Sequence, residues 1–321
     1  MVFATRPNTT SNTEKFMTQR SQSTLVKLKS ATRKSLFTIS TAVACTIGAG
    51  PAFAIGGDSD GWITATPGHP LGLVYQIRNS SHELYADGQI QSSDAQFVAD
   101  VTLLRYVHPV ALPGDVVWTP NVILPYVDLR AGGDVAGLGS TQAIGDLMLV
   151  SGFWPIHEGR THLAIVPYLW LPTGQYHKDS ALNAGENRYK TALQVGGQFP
   201  LGSTPLDFAG SIDTTFFGKN KDTDTKQAPL TEIDGWLKYN LTSSMFSHVA
   251  IGLVHVSGGV DKVAGVSQND TTRTTTLKLQ FGTLTDDSKT NHVLFTLARD
   301  LKVENGFKVD NHVEMRLLHV F

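Results

Sequence analysis

The sequence predicts an all-β membrane protein, an antiparallel up-and-down β-barrel of about twelve transmembrane strands. Three observations carry this reading. Polar and apolar residues alternate with period two in segment after segment, the connections between segments are alternately short and long, and the chain ends on an amphipathic stretch closed by Phe321. Period-two alternation marks strands with two different faces. Short turns at one end and long loops at the other mark a barrel inserted from one side of an outer membrane. Of the 321 residues, 41% are hydrophobic and only 17% charged, with 30 Gly and 14 Pro. That composition excludes disorder and a coiled coil. Outside one N-terminal stretch no run approaches the ~18 apolar residues of a membrane-spanning helix.

The N-terminus reads as an address. Residues 1 to 34 carry Arg6, Lys15, Arg20, Lys27, Lys29, Arg33 and Lys34 against the single acid Glu14, and an apolar run from Leu36 to Ala49 ends in Ala52-Phe53-Ala54. This charged, apolar, small-residue order is that of a secretory signal cut after Ala54, with Met17 as an alternative start. A mitochondrial transit peptide is the rival reading of the same Ser/Thr-rich segment, and Cys45 faintly resembles a lipoprotein site. The expected organisation is a signal peptide with an N-terminal extension over 1–54, a short periplasmic segment over 55–70 and the barrel over 71–321. Seven of the 26 basic residues and one of the 28 acidic residues precede residue 55, so the mature chain has net charge −8 and no cysteine. An acidic chain is a poor nucleic-acid binder, and without thiols it holds neither a disulfide nor a cysteine-ligated metal.

Strands are expected near 71–78, 96–107, 118–128, 142–154, 161–171, 188–199, 205–217, 229–241, 246–256, 272–285, 291–301 and 308–321. The clearest runs from Thr231 to Leu241, where Glu232, Asp234, Lys238 and Asn240 face one way and Ile233, Leu237, Tyr239 and Leu241 the other. Thr274 to Gly282 and Leu206 to Phe216 repeat the pattern. The strand over 118–128 is the weakest, since Pro120 and Pro125 remove ladder donors. Pro155 to Arg160, Pro200 to Thr204, Thr242 to Met245 and Asp286 to Thr290 read as short turns. Pro172 to Asn187, Gly218 to Gln227 and Ser257 to Asp270 read as long loops, and only the hairpin near Asn305 is short on their side. In the last strand Val313, Met315, Leu317 and Phe321 share one face, which resembles the assembly signal of bacterial outer-membrane proteins. Trp118, Trp154, Trp170, Tyr126, Tyr168 and Tyr239 lie toward strand ends, as aromatic girdles do.

Gly145-Asp146 opens a strand that ends at Trp154-Pro155. With Leu171-Pro172-Thr173-Gly174-Gln175-Tyr176 and the following Asn183, Gly185 and Asn187, these residues resemble the outer-membrane family named for the meta pathway of phenol degradation. The resemblance runs from about residue 70 to the C-terminus. It implies a transporter-like barrel, often encoded with catabolism of aromatic compounds.

With apolar residues facing lipid, the expected lumen set is Asp100, Asp146, Arg188, Lys190, Asp207, Asp213, Glu232, Asp234, Lys238, Lys278, Asp310, Glu314 and Arg316. Charges are costly against lipid and ordinary in a hydrated interior. They line a selective pathway or form an ion-pair network that fills and stiffens the barrel; both readings stand. The loop carrying Pro172, Gly174, Tyr176, Lys178 and Asn187 is the expected outer entrance. The eleven histidines show no pair at metal-ligand spacing, and no Ser, His and acid trio assembles from spacing, so neither cofactor, metal nor enzymatic activity is expected. The function expected is passive passage of small hydrophobic or aromatic compounds across the bacterial outer membrane, with membrane lipid and the barrel-assembly machinery as partners. A structural or surface-interaction barrel and a lipid-modifying enzyme are the alternatives.

Overall fold

Residues 57–321 are described by a computed structural model; the segment read as a signal peptide lies outside them. In chain order the strands are β1 (Leu71–Ala86), β2 (Gln89–Ser92), β3 (Ala95–Val107), β4 (Val110–Leu112), β5 (Val116–Gly133), β6 (Ser140–Ile144), β7 (Leu147–Glu158), β8 (Thr161–Leu171) and β9 (Lys190–Pro200). There follow β10 (Leu206–Phe217), β11 (Thr225–Gln227), β12 (Leu230–Asn240), β13 (His248–Gly258), β14 (Asp261–Val263), β15 (Val266–Ser267), β16 (Thr272–Leu284), β17 (Asn291–Val303) and β18 (Gly306–Val320). Twelve of these build the wall, in the order β1, β3, β5, β7, β8, β9, β10, β12, β13, β16, β17, β18. The ring closes because β18 pairs antiparallel with β1, from Leu71↔Val320 to Tyr85↔Gly306. Closure leaves no open wall edge, the condition under which a sheet crosses lipid. Of the short strands, β2, β4 and β6 extend the wall, and β11, β14 and β15 form a separate three-stranded sheet among the long loops.

Alternation sets the faces. In β12, Glu232, Asp234, Trp236, Lys238 and Asn240 are buried inside while Ile233, Leu237 and Tyr239 are exposed outside. The outer surface continues through Ile251, Leu279, Phe295 and Leu297, each about half exposed, as a lipid-facing band requires. Ten of the twelve expected strands match to within a few residues. The first runs on to Ala86, well past residue 78. The fourth is broken at Gly145-Asp146, which separates β6 from β7. Strand β5 is the longest wall strand, 18 residues, and keeps both prolines; the carbonyl of Pro125 accepts the Gly145 N–H at 2.9 Å.

The alternation rule fails on part of the wall. The inner faces of β3 and β5 are apolar, with Phe97, Ala99, Val101, Val127 and Leu129 packed on Leu182 from the loop after β8. Asp100 is therefore on the outer face, where it pairs with Arg78 and Arg130. Asp310 is also outside the lumen, bonded to the exposed His82. There a shift in the β1–β18 register near Ser81 reverses the parity of β18. Three of the six girdle aromatics turn inward as well. Trp154 and Trp170 are 6% and 4% exposed, and Tyr168 donates its hydroxyl to Gln194 at 2.8 Å. Tyr126 and Tyr239 do face outward.

Candidate functional site

The lumen is filled in part by the chain's own N-terminal segment. Residues expected in the periplasm, from Gly57 onward, run inside the barrel. Asp58 and Asp60 accept from the two terminal nitrogens of Arg316 at 2.8 and 2.6 Å, and His292 stands 3.7 Å from Asp60. The Ser59 N–H donates to Gln280 Oε1 at 2.8 Å, and its hydroxyl meets His248 Nε2 at 2.9 Å. Trp62, 3% exposed, tilts against Trp154 with ring centroids 6.3 Å apart. Gly196 makes room for it: a Cβ there would lie 2.4 Å from the indole.

Beside this segment remains a cavity of about 260 Å³. Its lining is mixed: Tyr75, Ile77, Leu103, Met148, Trp154 and Tyr168 are interspersed with Arg105, Asn121, Gln194, Glu232, Lys278, Asp300, Glu314 and Arg316, and Tyr75 and Ile77 are the cross-strand neighbours of Arg316 and Glu314. Four of the expected lumen residues thus line open space. Others form closed networks. Lys238 is fully buried, donates to Gln198 at 2.8 Å and lies 3.7 Å from Asp207, which also receives Asn240 at 2.7 Å and faces Arg160 at 3.4 Å. Near the long-loop end Glu186 is held by Arg188 at 2.6 Å and by Lys190. Burial alone would raise the Glu186 pKa, but these two cations outweigh it and hold the carboxyl at about 2. Lys190 lies 5.0 Å above the Trp170 ring and Arg188 4.7 Å above Phe217. Some of these charges therefore face open space and others close ion-pair networks, in different layers.

The loop after β8 folds over the lumen and is fastened to the break between β6 and β7. Asp146 accepts the N–H of Gly174 and that of Glu186, each at 2.9 Å. Gly174 lies between Gly145 and Gly185 so closely that a Cβ on it would meet their backbone and that of Asp146 at 2.6 to 2.8 Å. Asn183 ties the loop across itself, accepting the His177 N–H at 2.7 Å. Asn187 donates to Asp222 at 2.9 Å, and Tyr176 accepts from Asn220 at 3.1 Å. Leu182, 2% exposed, anchors the loop on β3 and β5. Pro172 ends the strand side of this clasp and Lys178 lies exposed at its tip. Asp146 is thus a fastener of the loop.

At the other end Val313 and Leu317 face outward, and Phe321, 67% exposed, rests its ring edge near Gly72. Sequence reasoning missed Asp58, Asp60 and Trp62, although two acids and a tryptophan in one short polar segment were a signal. It also set aside His162, His248 and His292, of which the first bonds Thr64 at 2.9 Å and the others hold Ser59 and Asp60. Among the described residues no group of three His, Cys, Asp or Glu is arranged to hold a metal ion.

A closed twelve-stranded barrel with a lipid-facing belt and a partly filled amphipathic lumen defines the class of outer-membrane β-barrel channels. The chain belongs to the family described as "Putative MetA-pathway of phenol degradation", whose model matches residues 83–312. Among solved structures it is similar to the COG4313 outer membrane channel from Pseudomonas putida F1, with 28% identity and a TM-score of 0.78 over 82% of this chain and 99% of that one. Weaker likenesses include the β domain of the Bordetella autotransporter BrkA (10% identity, TM-score 0.47, 79% of this chain and 100% of that one). Another is the translocator domain of the autotransporter NalP from Neisseria meningitidis (8% identity, TM-score 0.48, 82% and 91%). No curated protein matches the chain.

Proposed function

We propose that this protein is a passive outer-membrane channel for small aromatic and similar hydrophobic compounds. The observation that carries this is the cavity beside Trp62 and Trp154, lined by aromatic and aliphatic side chains with polar groups between them. An aromatic ring packs on the tyrosine, tryptophan and aliphatic side chains while a hydroxyl finds a partner among the interspersed polar groups, an arrangement that suits phenol-like molecules. An engineered apolar cavity of roughly 150 Å³ holds benzene, so about 260 Å³ accommodates one substituted ring. The family's description, with its reference to phenol degradation, points the same way.

Under this reading the chain is exported with cleavage after Ala54, and the outward face of Val313, Met315, Leu317 and Phe321 is what the assembly machinery engages. Titration of the purified barrel with 4-bromophenol should quench tryptophan fluorescence saturably, and arabinose should not. Trp62→Phe with Trp154→Phe should remove the saturable component. Quenching that never saturates, or that survives in the double variant, refutes the site.

A further inference from the structure

Three Arg or Lys side chains line the cavity, Arg105, Lys278 and Arg316, and they differ in what already surrounds their charge. Arg316 gives its two terminal nitrogens to Asp58 and Asp60. Lys278 lies 6.0 Å above the Trp236 ring. Arg105 has neither a carboxylate within 4 Å nor an aromatic ring beneath it among the described residues, and its one hydrogen bond runs from Nε to Asn121 Oδ1 at 3.1 Å. The other inward arginines, Arg160, Arg188 and Arg316, each have a carboxylate within 4 Å. Arg105 is thus not part of the ion-pair networks that fill the barrel elsewhere.

Its surroundings hold it in one attitude. Arg105 is on the inner face of β3, opposite Leu73 of β1 and Ile123 of β5. Asn121 is itself fixed, since its Nδ2 donates to the Thr119 carbonyl at 3.0 Å. With the Nε edge held by Asn121, the fork of Nη1 and Nη2 is left to the cavity. A second, independent feature stands beside it. Tyr75 opposes Leu103, two residues along the same face of β3, and is therefore a diagonal neighbour of Arg105. Its side chain is 8% exposed and lines the same cavity, and its hydroxyl has no hydrogen-bond partner among the described residues. Two kinds of donor, one of them charged, thus converge without an acceptor beside the apolar Leu103, Ile123 and Met148. Asp213 and Glu232, whose carboxylates keep unpartnered oxygens, belong to β10 and β12, across the ring from β3, and leave the charge of Arg105 unanswered.

We propose that Arg105 and Tyr75 form a carboxylate subsite, so that the compounds this channel favours are aromatic carboxylates. This rests on the channel reading above and narrows its substrate class. The ring packs on Leu103, Ile123 and Met148, while the carboxylate accepts two parallel bonds from the Nη1 and Nη2 fork and a third from the Tyr75 hydroxyl. A guanidinium presents its donors in the planar spacing of a carboxylate. An amide of the same shape brings one acceptor and no charge, so it leaves the fork half satisfied. Asn121 is the positioning residue, because it aims the fork without touching the ligand.

The test is tryptophan quenching of the purified barrel at pH 7 by 4-bromobenzoate, its neutral isostere 4-bromobenzamide, and 4-bromophenol. The wild type should bind the benzoate at least tenfold more tightly than the benzamide. Arg105→Gln should abolish that preference while changing 4-bromophenol binding less than twofold, and Tyr75→Phe should weaken the benzoate several-fold. Equal binding of benzoate and benzamide by the wild type, or a preference that survives Arg105→Gln, overturns the subsite and leaves the aromatic channel standing if 4-bromophenol still saturates. If none of the three saturates, the channel reading falls and the subsite with it. Unchanged benzoate affinity in Tyr75→Phe overturns the part given to the hydroxyl. Should Arg105→Gln give no heat-modifiable barrel band, Arg105→Met, whose side chain suits the apolar Leu73 and Ile123, is read in the same way.

Discussion

Replacing Asp146 by Asn should unfasten the loop after β8 without unfolding the barrel. The carboxylate is 6% exposed and accepts two backbone N–H groups, from Gly174 and Glu186, at 2.9 Å each. Hydrogen bonds to a charged group contribute about 1.5–3 kcal/mol each. An asparagine keeps one acceptor and must turn its NH2 toward the other N–H, so about one such bond is lost and one buried donor is left unpaired. A loss of about 2–3 kcal/mol raises the population of the released loop about 30- to 150-fold. Burial of Leu182 and the ion pairs of Glu186 still oppose release, and the wall strands lose nothing. Trypsin reads the change at Lys178, since cleavage inside a folded loop follows the population of its open form. Cleavage there should accelerate by one to two orders of magnitude while the heat-modifiable barrel band is unchanged. An unchanged rate would show that Asp146 does not fasten the loop, and loss of the barrel band would show that the clasp is part of the wall.

Further outcomes follow from the same geometry. Leu237→Arg places a charge on the outer band and should cost about 2–4 kcal/mol if near the membrane midplane, whereas Thr276→Lys, on the inner face beside Asp300, should fold normally; equal folding in urea titrations would contradict the facing. Arg316→Gln leaves Asp58 and Asp60 without their cation, and because breaking a buried pair costs about 3–5 kcal/mol, the luminal segment should loosen and single-channel conductance should rise. Asp261, in the loop sheet, is pushed up to about 7 by burial and by the charge of Asp270. Its unfolded value is near ~3.9, so the folded sheet holds a proton that the unfolded loop releases. Stability is undiminished below pH ~4 and is lost as pH rises toward 7. Hydrogen exchange at Lys262 and Val263, corrected for intrinsic rates, should show less protection at pH 8 than at pH 5, and Asp261→Asn should abolish the difference.

The wall was legible because lipid outside and water inside impose opposite requirements on neighbouring residues, and Glu232 to Leu241 displays both. Where the inside is not water, the rule fails. Asp100 was assigned inward because the sequence does not reveal that Leu182, more than eighty residues away, covers the inner faces of β3 and β5. Trp154 and Trp170 were taken for girdle residues because an aromatic near a strand end has the same local signature on either face. Asp310 was misplaced by a register irregularity, which shifts parity without a mark in composition. The clasp of Gly145, Asp146, Gly174 and Gly185 was visible as a motif, but its role was not, since close stacking of backbones depends on tertiary contact. The luminal course of Asp58 to Trp62 was missed because a polar stretch before the first strand reads as solvent-exposed linker, and only Arg316, far along the chain, gives those acids a reason to be inside.

The central claim, that aromatic compounds enter through this lumen, is tested most directly by uptake into cells with an intact lipopolysaccharide outer leaflet. Initial rates for radiolabelled toluene are compared in cells lacking the protein, cells making the wild type, and cells making Ile77→Trp, which puts a bulky ring into the cavity that Ile77 lines. The wild type should raise the rate several-fold, and Ile77→Trp, present as folded barrel in equal amount, should return it to the level of cells without the protein. Equal uptake with and without the barrel, or undiminished uptake through Ile77→Trp, would contradict passage through the lumen.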